Sequence, residues 1–436
     1  MISHPLTRLG NAKIAGLDRD VGMVGYDYNI TLSIFYVGYI LFEIPGVLLC
    51  KYMGPGWFIP ITSILFGICS ISTAFVKTVG QVCAVRFLLG IFEAGMMPGI
   101  AYYLSRWYKR AELTFRISLY IVMAPLAGAF GGLLASAILT LPHVGTLTSW
   151  RMIFVIEGLL TVFFALLALV FLTDRPETAR WLSPEEKELA VSRIKAERNL
   201  RAGALLDKLG TRKFLQGILN PVTLSIGITF CMDAIVVQTF AFFLPTIVKT
   251  IFPEHTTVQQ QLYTAPPYLV GACIMLGMAF TSWKTDRRQI FYIMAAPLVM
   301  VGYSMYLASS DQKVRYAAAF CSSVAFTFGT LSNAQVSANV VTDSARSAAI
   351  GMNSLFAHLG GLVGSWSFLP QDAPLYPIGN GLNLASSAAI FLISTATLLW
   401  MSWDNRRRER AQEEGAGTEE DWESLDWRHP SFRWKP

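Results

Sequence analysis

The stretch VGQVCAVRFLLGIFEAGMMPGIAYY, Val79 to Tyr103, reads as one apolar run that nevertheless holds an arginine, Arg86, and a glutamate, Glu93. Crossing a bilayer as a helix takes roughly 20 apolar residues, so the run is long enough to span. An ionisable side chain at membrane depth costs about 2.5–3.5 kcal/mol on insertion scales, which is why such residues face a cavity or a partner. Seven residues make about two helical turns, so Arg86 and Glu93 fall near one face, roughly 10 Å apart along the axis. A lone cation can snorkel from a helix end. A cation and an acid stacked on one buried face point instead to a path for an anion and a proton.

The whole chain has the composition that this stretch requires. Of its 436 residues 53% are hydrophobic and only 15% charged, with a mean hydropathy of +0.45. Soluble domains carry closer to about 25% charged residues. The apolar excess is organised into runs bounded by charges, Pro or Gly, the pattern of an all-α membrane protein with many spans. Cys50, Cys69, Cys83, Cys231, Cys273 and Cys321 lie within or beside these runs without metal-ligand spacing, and read as small core residues. The net charge of +6 follows membrane topology rather than a nucleic-acid surface. Residues 1–27 lack the apolar segment of a cleavable signal peptide.

Eleven spans are expected. Five cover 28–50, 57–76, 79–103, 117–139 and 150–172; six cover 221–246, 263–283, 290–308, 316–337, 348–369 and 382–403. The organisation is then an extramembrane segment 1–27, an N-terminal bundle 28–172, a polar loop 173–216, a C-terminal bundle 217–403 and a disordered tail 404–436. Within the loop, Ser183-Pro184-Glu185-Glu186 reads as a helix start, with a serine N-cap, proline in the first turn and a capping-box glutamate. Lys51, Arg106, Lys109, Arg110, Arg116, Lys284, Arg287, Arg288, Arg346 and the cluster from Arg406 to Arg410 share the side of this loop. Lys77, Arg151, Lys249, Lys313 and Arg315 take the other, so the loop and the C-terminus are expected to be cytoplasmic.

Five spans and six around a basic loop suggest a six-plus-six duplication without its first helix. The fourth span carries Pro125, Gly128, Gly131 and Gly132, and the tenth Gly351, Gly360, Gly361 and Gly364. Small residues at equivalent places let helices approach closely, as in carriers built from repeats, although glycine is common in membrane helices generally. Enzyme signatures are absent: no nucleophile elbow, no phosphate loop and no cluster of His or Cys with metal spacing.

Several segments resemble one family. They are Asn11-Ala12-Lys13-Ile14-Ala15-Gly16-Leu17, Tyr39-Ile40-Leu41-Phe42-Glu43-Ile44-Pro45, and the run from Arg86 to Gly95 followed by Pro98-Gly99. Asp174-Arg175-Pro176-Glu177 with Ala179 and Trp181-Leu182, Phe243-Leu244-Pro245-Thr246-Ile247 and Pro266-Pro267-Tyr268 add to them, and Phe432-Arg433 is similar to the closing motif. Together they are similar to the anion:cation symporter branch of the major facilitator superfamily, near the fungal allantoate and nicotinate permeases. Two departures stand out. The first helix of the family is missing, with Ser3 to Arg8 in its place, and the loop motif is reduced to Lys51-Tyr52-Met53-Gly54-Pro55 in the first half while Asp286-Arg287-Arg288 survives in the second.

The resemblance implies a fold of two helical bundles in pseudo-two-fold arrangement and proton-coupled uptake of a small organic anion, such as a nicotinate-, allantoate- or pantothenate-like carboxylate. It implies the plasma membrane, no cofactor beyond the proton gradient, and as partners only the anion, protons and the bilayer. Arg86 is the candidate clamp for a carboxylate, against a structural ion pair as the alternative. Glu93 is the candidate proton carrier, because protonation and the charge of a neighbouring anion or guanidinium are coupled in a low-dielectric site. Asp233, an intramembrane acid outside the recognised motifs, joins Gln238, Asn333 and Asn353 as candidate substrate contacts, with Tyr36, Tyr268, Asn339 and His358 as further polar candidates that could equally be helix–helix glue. Glu43, Glu157, Asp286 and Arg287 are expected to be structural or gating. The missing helix keeps a second reading open: a truncated, non-transporting relative acting as a nutrient receptor or persisting as an inactive product. A carrier of a neutral or cationic solute, with Arg86 structural, is a third.

Overall fold

A computed structural model describes residues 5–108, 110–142, 149–179, 181–202, 211–341, 343–413 and 426–436. Among these residues no strand occurs. Hydrocarbon offers backbone groups no hydrogen bonds, so apolar runs of this length must satisfy their own N–H and C=O groups as helices. The helices are α1 (Pro5–Ile14), α2 (Leu17–Val21), α3 (Asp27–Met53), α4 (Pro55–Thr73), α5 (Val79–Glu93), α6 (Met96–Trp107), α7 (Arg110–Ile138), α8 (Ser149–Phe171) and α9 (Pro184–Ala202). They continue as α10 (Thr211–Ile218), α11 (Pro221–Ile251), α12 (Thr257–Thr285), α13 (Gln289–Ala308), α14 (Gln312–Ser322), α15 (Phe326–Ala338), α16 (Asp343–Gly364) and α17 (Pro377–Glu413).

Among the described residues nine helical segments are long and apolar enough to cross a membrane, and Ala348–Gly364 is a shorter apolar helix. The span expected at 316–337 falls on α14 and α15, and that at 348–369 on α16. The first is divided into α14 and α15 by a 3-10 turn at Ser323–Ala325, where the Ser323 hydroxyl donates to the Phe320 carbonyl at 2.8 Å. The second is α16, which holds the apolar stretch Ala348–Gly364.

The chain forms two compact units. One comprises Met1–Glu197, Gln238–Leu269 and Phe368–Tyr376; the other comprises Arg198–Val237, Val270–Ser367 and Pro377–Pro436. In the first unit α3 packs on α5, α4 on α8, and α1 on α7 and α8. Glycines set the crossing of α3 and α5: a methyl group at Gly38 would fall 2.7 Å from the Phe87 carbonyl oxygen, and one at Gly90 would collide with the Phe35 carbonyl. Small residues at such crossings bring backbones together where lipid supplies no hydrophobic drive. The span that begins at Val79 is not one unbroken helix. It stops at Glu93 and restarts at Met96, with Gly95 in the left-handed region (φ 78°) and its Cα hydrogens against Gly46. The fourth-span glycines also serve close approach: a methyl at Gly128 would fall 2.7 Å from the Tyr268 ring, and Gly132 faces Gln261 and Thr264. The loop helix starts as its sequence specifies, with Ser183 N donating to Glu186 Oε2 at 2.8 Å and Glu186 N to Ser183 Oγ at 3.2 Å.

In the second unit α13 packs on α14 and α17, and α16 on α10 and α15. Gly360 meets the Cys231 carbonyl and the Ala234 methyl, whereas Gly351 faces open space, so only part of the tenth-span glycine run is a contact surface. The expectation of a disordered tail at 404–436 is corrected. Helix α17 continues through Glu413, and residues 426–436 form a strap on this unit, with Trp434 buried against Trp400, Trp427 and Phe432. Side chains read the strap's backbone. Trp434 N donates to Asn405 Oδ1 (2.8 Å), Lys435 N to Asn339 Oδ1 (2.8 Å), and Gln335 Nε2 and Asn339 Nδ2 both donate to the Lys435 carbonyl. Three aromatic residues in nine supply the burial that the acidic composition before them cannot. Residues 414–425, the bulk of the expected acidic tail, lie outside the described residues.

Candidate functional site

Helix α3 presents Tyr28, Leu32, Phe35, Tyr36 and Tyr39 on one buried stripe, spaced by three, four and one as a helix face demands. Across the glycine crossing, α5 presents Arg86, 1% exposed, and Glu93, 7% exposed. Tyrosines interact electrostatically with the two charged residues. Tyr36 lies within electrostatic reach of both Glu93 and Arg86. Tyr28 lies within reach of Arg86, and Tyr39 and Tyr120, from α7, within reach of Glu93. The Tyr36 hydroxyl is buried and has no hydrogen-bond partner among the described residues. Tyr28 donates to the Phe242 carbonyl at 3.4 Å and carries the Lys13 ammonium 3.8 Å above its ring centroid. A buried guanidinium, a buried carboxyl and phenolic hydroxyls within their electrostatic reach can hold a carboxylate and exchange a proton beside it.

The other expected residues divide between the units. Gln238 is half-buried on α11 in the first unit. Asp233, Asn333 and Asn353 belong to the second, where Asn353 Nδ2 donates to Asn333 Oδ1 at 2.8 Å and to Ser332 Oγ at 3.1 Å. Glu43 is half-buried and within reach of Tyr39, and Glu157 is fully buried on α8. Asp286, in the left-handed region at φ 50°, pairs with Arg288 at 2.8 Å while Arg287 is exposed. Tyr268 packs on Phe240 and Gly128, and Asn339 serves the strap.

Sequence reasoning singled out Tyr36 but passed over Tyr28, Tyr39 and Tyr120. The α3 stripe was visible as a spacing of eight and three between tyrosines; Tyr120 carries no such signal. It also passed over the ion pair of Arg106 with Asp174 (2.7 Å), which ties the end of α6 to the loop after α8 and, through Gly56 N donating to Asp174 Oδ1, to the start of α4.

Long apolar helices that carry a buried guanidinium and a buried carboxyl fit a membrane transporter. The chain belongs to the Major Facilitator Superfamily, whose family description matches residues 11–365. An uncharacterized transporter of Schizosaccharomyces pombe is 31% identical over 98% of this chain and 85% of its own length. The high-affinity nicotinic acid transporter of Saccharomyces cerevisiae is 28% identical over 98% of this chain and 80% of its own. Among solved structures, the inward-open xylose transporter XylE of E. coli aligns with a TM-score of 0.65 at 13% identity, covering 88% of this chain and 92% of that one. A bacterial homologue of the human lysosomal transporter Spinster aligns with a TM-score of 0.60 at 15% identity, covering 90% and 95%. These likenesses concern the fold.

Proposed function

We propose that this transporter takes up a small organic monocarboxylate of the nicotinate type together with protons, by alternating access. The observation that carries the reading is the placement of Arg86 and Glu93 in one unit with Tyr36 within electrostatic reach of both. In the cycle, Glu93 takes a proton from outside, the carboxylate docks at Arg86 bidentately, and the loaded protein turns inward. Loss of the proton to the cytoplasm then restores the charge at Glu93 and weakens the hold on the anion. Gln238 and the tyrosine stripe supply hydrogen bonds to the rest of the solute. The energy source is the proton gradient, with no cofactor. The charge asymmetry of the loops supports a cytoplasmic C-terminus, and the plasma membrane is the location that the family resemblance implies.

The test is uptake of radiolabelled nicotinate by sealed proteoliposomes under an inward proton gradient. Accumulation that a protonophore collapses, and that allantoate or pantothenate reduces by competition, supports the reading. Binding without accumulation favours the receptor alternative. Uptake indifferent to the gradient, or competed only by neutral or cationic solutes, overturns it.

A further inference from the structure

The second unit holds its own buried acid. Asp233 lies on the stretch of α11 that packs against α15 and α16, through Phe230 beside Gly329, Gly227 beside Phe356 and Cys231 beside Gly360. It is 2% exposed, and its Oδ1 is buried without a hydrogen-bond partner. No described lysine, arginine or histidine forms an ion pair with it. Its surroundings are polar but neutral. A methyl group at Gly329 would fall 3.8 Å from Asp233 Oδ2. The Tyr292 hydroxyl, from α13, donates to the Phe328 carbonyl at 3.3 Å, lies against the Ser332 side chain and is within electrostatic reach of Asp233. Ser332 in turn accepts from Asn353, whose own Oδ1 is buried without a partner.

A carboxylate desolvated to this extent needs a counter-charge or a proton. The titratable groups on the helices packed around it are few. Tyr292 faces it from α13, and α15 contributes none; α16 contributes Asp343 and Arg346 at its start, the latter bonded to the Ser337 and Val340 carbonyls, and His358 one to two turns beyond Asn353, while α11 itself adds Cys231. Arg288 lies one turn before Tyr292 and acts on that tyrosine, not on Asp233. The neighbours that remain are hydroxyls and amides, which can receive a proton's hydrogen bond and pass it on but cannot neutralise an anion.

We propose that Asp233 is a second proton-binding site, housed in the second unit and relayed through Tyr292 and Ser332. The site stands on this geometry alone; its use in transport rests on the proton-coupled reading above. Two sites in two units would let each half of the carrier gain and lose its own proton during a cycle.

The test needs no substrate. Full-length protein in proteoliposomes, with sodium replaced by choline, is followed by infrared difference spectroscopy from about pH 4 to about pH 9. Labelling with carboxyl-13C aspartate separates aspartate from glutamate bands in the wild-type protein, so the assignment survives even where a variant folds poorly. The expected result is an aspartic-acid carbonyl band that shifts with the label, disappears in the Asp233→Asn variant, and persists in Glu93→Gln. Absence of any label-sensitive acid band from the absolute spectra as well as the difference spectra overturns the proposal, because Asp233 is then ionised throughout. A band abolished by adding sodium at constant pH also overturns it, by making the site one for a metal cation. Loss of a glutamate band in Glu93→Gln is read separately, and its absence would count against the function proposed for Glu93 without touching Asp233.

Discussion

Replacing Trp434 with alanine isolates what the strap contributes. The indole is 2% exposed, with ring centroids 5.2 Å from Trp400, 5.9 Å from Trp427 and 4.9 Å from Phe432. Its Nε1–H donates to Asp404 Oδ2 at 2.7 Å, the same oxygen that receives Arg408 Nε at 2.6 Å. Truncating a buried tryptophan to alanine costs about 3–5 kcal/mol through lost transfer energy and the cavity left behind. Trp434→Phe keeps most of the ring and loses only the donor, at about 1–2 kcal/mol, since Asp404 retains Arg408. Thermal unfolding in detergent, followed with a thiol-reactive dye, reads both variants, with half-buried Cys231 and Cys321 as reporters in the same unit. The alanine variant should lower the midpoint by on the order of 10 °C and the phenylalanine variant by about a third of that. An alanine variant within about 2 °C of wild type would refute the idea that the strap is part of the folded unit. A phenylalanine variant as damaging as alanine would show that the contact with Asp404, not ring packing, holds it.

Three further outcomes are expected. With one proton per anion, a gradient of about one pH unit supports about tenfold accumulation, and Glu93→Gln should reduce it to no accumulation while leaving exchange of labelled for unlabelled nicotinate intact; loss of both would show that Glu93 does more than carry the proton. Burial holds the Lys13 ammonium down to about 8 against the pull of Asp18, with Lys249 adding to the lowering. The unfolded chain therefore binds more protons between about pH 8 and the ordinary lysine value of 10.5, so stability should rise with pH through that window, and amine labelling of Lys13 should show a midpoint near 8 that Lys13→Met removes. Gly38→Ala should cost about 1–3 kcal/mol by forcing α3 and α5 apart, seen as a lower detergent midpoint, whereas Gly351→Ala should be nearly silent.

The apolar runs and their lengths were readable because hydrocarbon allows the backbone only one economical solution, the helix. What failed was the assumption that a run equals a helix. Gly95 interrupts the run from Val79 through a backbone conformation that hydropathy does not encode, and a 3-10 turn at Ser323–Ala325, with the Ser323 hydroxyl bonded to the Phe320 carbonyl, divides another. Arg86, Glu93 and Asp233 were legible because charge in an apolar stretch is improbable without a reason. Their neighbours were not, since Tyr292, Ser332 and Tyr120 meet the acids only through tertiary contact. The strap was misread for the opposite cause: Trp427, Phe432 and Trp434 are too few and too close together to register beside a polar, charged flank, yet Trp427 donates to the Gln216 carbonyl on α10, Trp434 donates to Asp404 on α17, and Arg408 of α17 lies over the Phe432 ring.

The glycine crossing of α3 and α5 has a consequence for how such a carrier can change its cargo. The distance between Arg86, Glu93 and the tyrosine stripe is fixed by main-chain packing at Gly38, Gly90, Gly46 and Gly95, none of which bears a functional group. Frame and chemistry are therefore separable. On the function proposed above, residues such as Tyr36 and Tyr39 can be exchanged to suit a larger, smaller or more polar solute while the frame keeps the cation and the acid in register. Selectivity is then a property that drifts on a fixed chassis.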